Sequence, residues 1–171
     1  MTTPKIYMDA CCLLEVLKGA KGVSDQERAQ QLDIITRTLR ASRNGDVQVF
    51  TSMVSVSEVL YLDKNEKPPT DSNKLLIERL LMSGRDGVSI VSLVPTTVLT
   101  ARDLSWNQSV YGRSVDMIHL ASAIQAKAGE LFTLDGRLAK KFDKDVVSGC
   151  RIIAPNETRL LPNDYKQGKL F

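Results

Sequence analysis

The stretch Gly112–Gly136, GRSVDMIHLASAIQAKAGELFTLDG, couples a helical pattern to a short run of β-formers. Val115, Ile118, Ala121, Ser122 and Gln125 recur at helical spacing, and Leu131–Leu134 (LFTL) reads as a strand. Asp116 opens the helix and Asp135 directly follows the strand. If the strand is parallel to its neighbours, the helix before it must run back down the sheet. About 13 residues at roughly 1.5 Å each cover about 20 Å, enough for that return. Both aspartates then land on the edge of the sheet where strands end.

The remainder of the chain repeats the alternation. Lys5–Met8 (KIYM), Val47–Thr51 (VQVFT), Val88–Val94 (VSIVSLV) and Arg151–Ala154 (RIIA) are further strand-like runs. Between them, Ala29, Leu32, Ile35 and Leu39, then Leu76, Leu80 and Leu81, follow helical spacing. Strands alternating with helices predict an α/β fold of three layers, α/β/α, around a central parallel sheet of about five strands. The Ala29–Leu39 stripe is expected to pack on that sheet. With 171 residues and 43% hydrophobic content, a single domain over 1–171 is expected. Residues 63–73, DKNEKPPTDSN, read as an exposed loop, and residues 155–171 as a C-terminal tail over the surface.

Composition excludes several classes. The 23 basic and 20 acidic side chains leave a net charge of +3, so charge alone does not announce a nucleic-acid binder. No apolar run approaches the roughly 20 residues that span a bilayer, and the first residues lack a signal-peptide pattern; a soluble, cytoplasmic protein is expected. Cys11, Cys12 and Cys150 show no CxxC spacing, so no zinc site is expected and the thiols read as buried and inert. His119 is the sole histidine, which excludes a metal-free ribonuclease built on paired histidines. It reads as a packing or supporting residue near Asp116.

Two more acids join the pair. Asp9 directly follows the first strand, and Glu58 is expected in the first turn of a helix after the second. Four carboxylates then converge where open α/β sheets place their ligands. Close carboxylates repel, and Mg²⁺ or Mn²⁺ is the cation that carboxylate and water ligands select. Chemistry at phosphorus follows from such an ion. Each acid also has a structural reading: Ser55-x-x-Glu58 fits a capping box, Asp116 suits a helix N-terminus, and Asp135 precedes Gly136 in a turn. Asp9 stands apart, because it sits between apolar runs where an unpaired buried charge is costly.

At these residues the sequence resembles the PIN-domain ribonucleases, a family that includes the VapC toxins of toxin–antitoxin pairs. The resemblance is carried by KIYMDACCLLEVLKG around Asp9, TSMVSVSEVLYL around Glu58, and the segment from Leu99 to Phe142 around Asp116 and Asp135. It departs from the family at Ala10 and Cys11, where a small polar pair is usual, and in its length. The resemblance implies a PIN-like fold in which Asp9, Glu58, Asp116 and Asp135 are catalytic and bind one or two Mg²⁺ or Mn²⁺ ions, with Ser57 and Thr133 supporting them. It implies an endoribonuclease that leaves 5′-phosphate and 3′-hydroxyl ends, a small antitoxin partner and a homodimer. Arg113, Arg137, Lys140 and Lys141 are the candidates for holding RNA phosphates. With aromatics at 5%, base stacking is expected to be minor. The alternatives are a PIN nuclease of RNA processing outside toxin pairs, a catalytically lapsed RNA- or protein-binding module, and a Mg²⁺-dependent phosphotransfer protein. Against the last, Asp9-Ala10-Cys11 lacks the second acid of a phosphatase Asp-x-Asp.

Overall fold

The runs of β-formers become strands in the computed structural model, which describes residues 2–19, 25–63, 65, 67–107, 112–141 and 146–166. The strands are β1 (Lys5–Met8), β2 (Gln48–Ser52), β3 (Val88–Val91), β4 (Glu130–Phe132), β5 (Val146–Val147) and β6 (Cys150–Ile153). They form one sheet in the order β3-β2-β1-β4-β6-β5. Every pairing is parallel except β5 with β6. The five expected strands are therefore the parallel ones. The additional strand, β5, is two residues long and forms an antiparallel hairpin with β6 at the sheet edge.

Eight helices accompany the sheet among the described residues: α1 (Ala10–Lys18), α2 (Gln26–Arg43), α3 (Met53–Glu58), α4 (Asp71–Met82), α5 (Pro95–Asn107), α6 (Ser114–Gln125), α7 (Gly136–Lys141) and α8 (Asn163–Lys166). Period-two alternation along the strands divides them into layers. Ile6 and Met8 of β1, Phe132 of β4 and Ile153 of β6 join a core with Cys12 and Leu13 of α1, Ile35 and Leu39 of α2, and Leu80 and Leu81 of α4. Tyr7, Leu131 and Ile152 point the other way, into a core with Leu104 of α5, Met117 and Leu120 of α6, and Leu138 of α7. The result is a three-layer α/β/α fold. Burying each large aliphatic side chain stabilises it by about 1.5–3 kcal/mol before entropy is counted. The α2 stripe packs on the sheet through Leu32, Ile35 and Leu39, while Ala29 stays exposed.

Local signals explain the boundaries. Asp9 caps α1 and Gly19, at φ 67°, ends it in a conformation that favours glycine. Ser52 caps α3 by accepting the Val54 N–H, so Glu58 is the last residue of that helix and not part of its first turn. The Ser55 hydroxyl bonds Thr51 instead of forming a capping box with Glu58. Thr70 caps α4, which makes the last three residues of the expected 63–73 loop helical; residues 64 and 66 lie outside the described residues. Past β6, residues 155–157 form a 3₁₀ turn. No helix among the described residues is long and apolar enough to cross a membrane.

The topology fixes where a ligand belongs. From β1 the chain builds outward through β2 and β3, and β4 is then added on the opposite side of β1. The crevice beyond the carboxyl ends of β1 and β4 is thus the point where strand order reverses. Met8 pairs with Phe132 across it, and the Asp9 N–H donates to the Phe132 carbonyl at 3.1 Å. Asp9 and Asp135 leave the sheet side by side in this crevice.

Candidate active site

Asp9 is buried, and its charge is met by local donors. Its Oδ1 accepts the Cys11 N–H at 2.9 Å, the Cys12 N–H at 3.3 Å and the Cys11 thiol at 2.6 Å. Cys11 occupies the position where a small polar residue is usual, and its thiol takes over that donor role. The same sulfur accepts the Leu134 N–H at 3.1 Å and lies 3.9 Å from Thr133 Oγ1, which in turn accepts the Asp135 N–H at 3.1 Å. A chain of short contacts through Cys11 and Thr133 therefore links the Asp9 turn to the Asp135 turn. Cys12 is different: burial pushes its thiol well above the ordinary range, and it serves as a core side chain.

Asp116 and Asp135 share a cation. Asp116 sits in the first turn of α6 and accepts the Arg113 backbone N–H at 3.0 Å. The Arg113 guanidinium places Nη2 3.2 Å from Asp116 Oδ1 and 3.5 Å from Asp135 Oδ2. Arg137 adds a second clamp on Asp135, with Nε at 3.2 Å, Nη2 at 3.0 Å and its backbone N–H at 3.0 Å. The Arg137 guanidinium, opposed by partial burial, holds the Asp135 carboxyl below its usual range. The helix-first, strand-second reading of Gly112–Gly136 thus brings the two acids to one cation.

Glu58 reaches the crevice from the end of α3. Its Oε2 lies 2.6 Å from His119 Nε2, and His119 Nδ1 lies 2.8 Å from the Tyr7 hydroxyl. Burial pushes the Tyr7 phenol far up, so it stays protonated and can donate to Nδ1. The imidazole then carries its proton on Nε2 and donates it to Glu58. His119 lies three residues beyond Asp116 on α6, so one helix carries Asp116 and fixes Glu58. A histidine near an acid on one helix was legible in the sequence, but its partner Glu58, 61 residues away, was not.

The remaining candidates divide. Thr133 is fully buried between the Asp9 and Asp135 turns. The Ser57 hydroxyl donates to the Val54 carbonyl of its own helix at 2.7 Å. Arg113 and Arg137 line the crevice, paired with its acids. The side chains of Lys140 and Lys141 lie outside the described residues. Among the described residues, the group of potential ligand atoms within 4.8 Å of one another is Asp9, Cys11 and Cys12. The expected meeting of all four carboxylates is only partial: Asp116 and Asp135 meet through Arg113, Asp9 is held by Cys11 and Cys12, Glu58 by His119, and among the described residues no three of the four acids lie within 4.8 Å of one another.

The donor set suits a hard divalent ion. Asp9, Glu58, Asp116 and Asp135 offer carboxylate oxygens, the ligands that Mg²⁺ and Mn²⁺ prefer. One guanidinium nitrogen reaches both Asp116 and Asp135, so these two carboxylates already share one positive charge.

Comparison with known proteins bears on the fold and the family. The family model described as PIN domain matches residues 6–144. Among solved structures, the crystal structure of Mycobacterium tuberculosis VapC20, described as a sarcin-ricin loop cleaving toxin, is similar with a TM-score of 0.52 and 16% identity. The match covers 85% of this chain and 98% of that one. No curated protein matches the chain. With its parallel sheet, its strand-order reversal beside Asp9 and Asp135, and a family match over most of its length, the chain belongs to the PIN domain family.

Proposed function

We propose that this protein is a metal-dependent endoribonuclease, the toxin of a toxin–antitoxin pair, that hydrolyses RNA phosphodiesters to 5′-phosphate and 3′-hydroxyl ends. The observation that carries the reading is the bridging of Asp116 and Asp135 by one guanidinium nitrogen, with Asp9 and Glu58 on the same sheet edge. Asp9, Glu58, Asp116 and Asp135 would hold Mg²⁺ or Mn²⁺. When bound there, the ion supplies a water of lowered pKa and stabilises charge on the phosphate oxygens. Cys11 and Thr133 keep the Asp9 and Asp135 turns in register. His119 holds Glu58 through Oε2. Arg113 and Arg137, beside the acids that would hold the ion, would be placed to take the RNA phosphates.

The whole chain, 1–171, acts as one domain in this reading, as a homodimer restrained by a small antitoxin. The VapC20 likeness supports a toxin by analogy of fold. A catalytically lapsed RNA-binding module is the second reading, favoured by the arginine pairing of Asp116 and Asp135.

The test is incubation of purified protein with mixed cellular RNA under Mn²⁺, Mg²⁺ or chelator, beside Asp116→Asn, with the new ends mapped chemically. Metal-dependent cutting that leaves 5′-phosphates and disappears in Asp116→Asn is expected. RNA binding without cutting, from protein shown free of inhibitor, would move the assignment to the lapsed module.

A further inference from the structure

Beside Asp116, α5 and α6 enclose a groove of about 310 Å³. Val98, Arg102 and Trp106 line it from α5, and Ser114, Met117 and Ile118 from α6. Trp106, the sole tryptophan of the chain, is 72% exposed. Covering an exposed indole removes apolar area from water and is favourable. The Arg102 guanidinium lies over its ring at 4.7 Å from the centroid, which orients the indole and puts a positive charge at the groove mouth.

The groove adjoins the acids. Met117, on its floor, follows Asp116 in the chain. A Cβ built on Gly112 would lie 2.5 Å from Met117 Cε and 3.6 Å from Asp116 Oδ2, so the groove floor and the carboxylate are separated by little more than a glycine backbone. Arg113, at the same turn, adds a second cation. A planar ring with a cation on its face, a small apolar trough, serine hydroxyl at the rim and cations toward the acids complement one ligand: a flat heteroaromatic base joined to a phosphate. The volume is at the small end for ligand sites, which fits one base and not a folded peptide element.

We infer that this groove is a subsite for one unpaired nucleobase of the RNA, stacked on Trp106 next to the phosphodiester that the acids address. The inference rests on the ribonuclease reading and narrows it to RNA that is single-stranded or splayed open at the cut, because a paired base presents no free face. Low aromatic content argues against stacking in general; one exposed indole beside the acids supplies it at one position.

The sole tryptophan makes the site directly readable. In chelator, where no cutting occurs, full-length protein is titrated with a mixed-sequence single-stranded RNA octamer, with a base-free ribose-phosphate octamer, and with an RNA duplex. Quenching of tryptophan fluorescence by the octamer alone is expected. In Mn²⁺, with an RNA that the wild type is found to cut, Trp106→Ala should raise KM about 10-fold with little change in kcat, and Trp106→Phe should retain most of the affinity. Equal quenching by the base-free octamer, or Trp106→Ala with wild-type KM, overturns the subsite while leaving the ribonuclease intact. A Trp106→Ala protein that changes only its oligomeric state assigns the face to protein contact and also overturns it. Absence of both RNA binding and metal-dependent cutting overturns the ribonuclease reading and the subsite with it.

Discussion

In the proposed reading Arg113 competes with the divalent ion for Asp116 and Asp135. Its guanidinium pairs with Asp116 and Asp135, and an ion held by both carboxylates would have to displace those contacts. Arg113→Gln should therefore lower the Mn²⁺ concentration needed for half-maximal thermal stabilisation. The guanidinium is largely exposed, and exposed pairs contribute at most about 1 kcal/mol, so the gain stays within about five-fold. The same variant should bind RNA more weakly, since it loses a phosphate partner. Tighter metal binding together with weaker RNA binding separates this role from plain structural damage.

His119 acts on Glu58 through geometry. His119→Gln keeps an N–H donor within reach of Glu58, whereas His119→Ala removes it and leaves a cavity beside the buried Tyr7 ring. Removing a buried side chain without refilling its space is destabilising, so His119→Ala should melt lower than His119→Gln. Its Mn²⁺ affinity, measured by calorimetry, should fall about 10-fold or more, as happens when a residue orienting a ligand is lost. Equal Mn²⁺ affinities in the two variants would reduce His119 to a packing residue.

At the scale of elements, α1 and α2 are joined by a two-pronged ion pair. Arg28 Nε donates to Glu15 Oε1 at 3.0 Å and Nη2 to Oε2 at 2.9 Å. The Arg28 hydrogen bonds, opposed by burial, hold the Glu15 carboxyl below its ordinary pKa. A lowered carboxylate pKa contributes stability that is present above the unfolded value and lost as pH falls through the folded one. The stability difference between wild type and Glu15→Gln should thus be full at pH 7 and fade below about pH 4. Its size is roughly 1 kcal/mol, because Arg28 is partly exposed and screened. Denaturant melts at several pH values would show a pH-independent difference if the pair were idle.

What the sequence disclosed follows the range of each signal. Period-two and helical spacing are local, so β1, β2, β3, β4 and β6 and the α2 stripe were legible. The two-residue β5 has no period to detect, and it forms only because Val147 finds Cys150 across a turn. Glu58 looked like a capping-box residue because Ser55 precedes it by three; Ser52 captured the cap first, with the Ser55 hydroxyl drawn to Thr51. The acids themselves were visible from topology, because Asp9 follows β1 directly and Asp135 comes three residues after β4, which ends at Phe132 and not at the expected Leu134. Their partners were not, since His119 meets Glu58 and Cys11 meets Leu134 across long sequence distances that no spacing encodes.

Across the whole molecule the two edges of the sheet carry different duties. The carboxyl edge gathers acids and arginines around a crevice. The amino edge buries one acid, Glu130 at the start of β4, which is 1% exposed. It accepts Arg151 Nη1 at 3.1 Å, the Thr158 hydroxyl at 2.6 Å and the Arg159 N–H at 2.9 Å. These bonds fasten β6 and the segment after it to the middle of the sheet. Glu130→Ala would strand a hydroxyl, a backbone N–H and a guanidinium at once. Breaking a buried, hydrogen-bonded ion pair from one side costs about 3–5 kcal/mol, or a fall of about 10 °C in Tm for a chain of this size. Proteases should cut earlier near residues 158–166. Because Glu130 lies at the far edge from the four acids, the rise in Tm that Mn²⁺ gives should survive in Glu130→Ala. Loss of that metal response would mean that the two edges are coupled through β4.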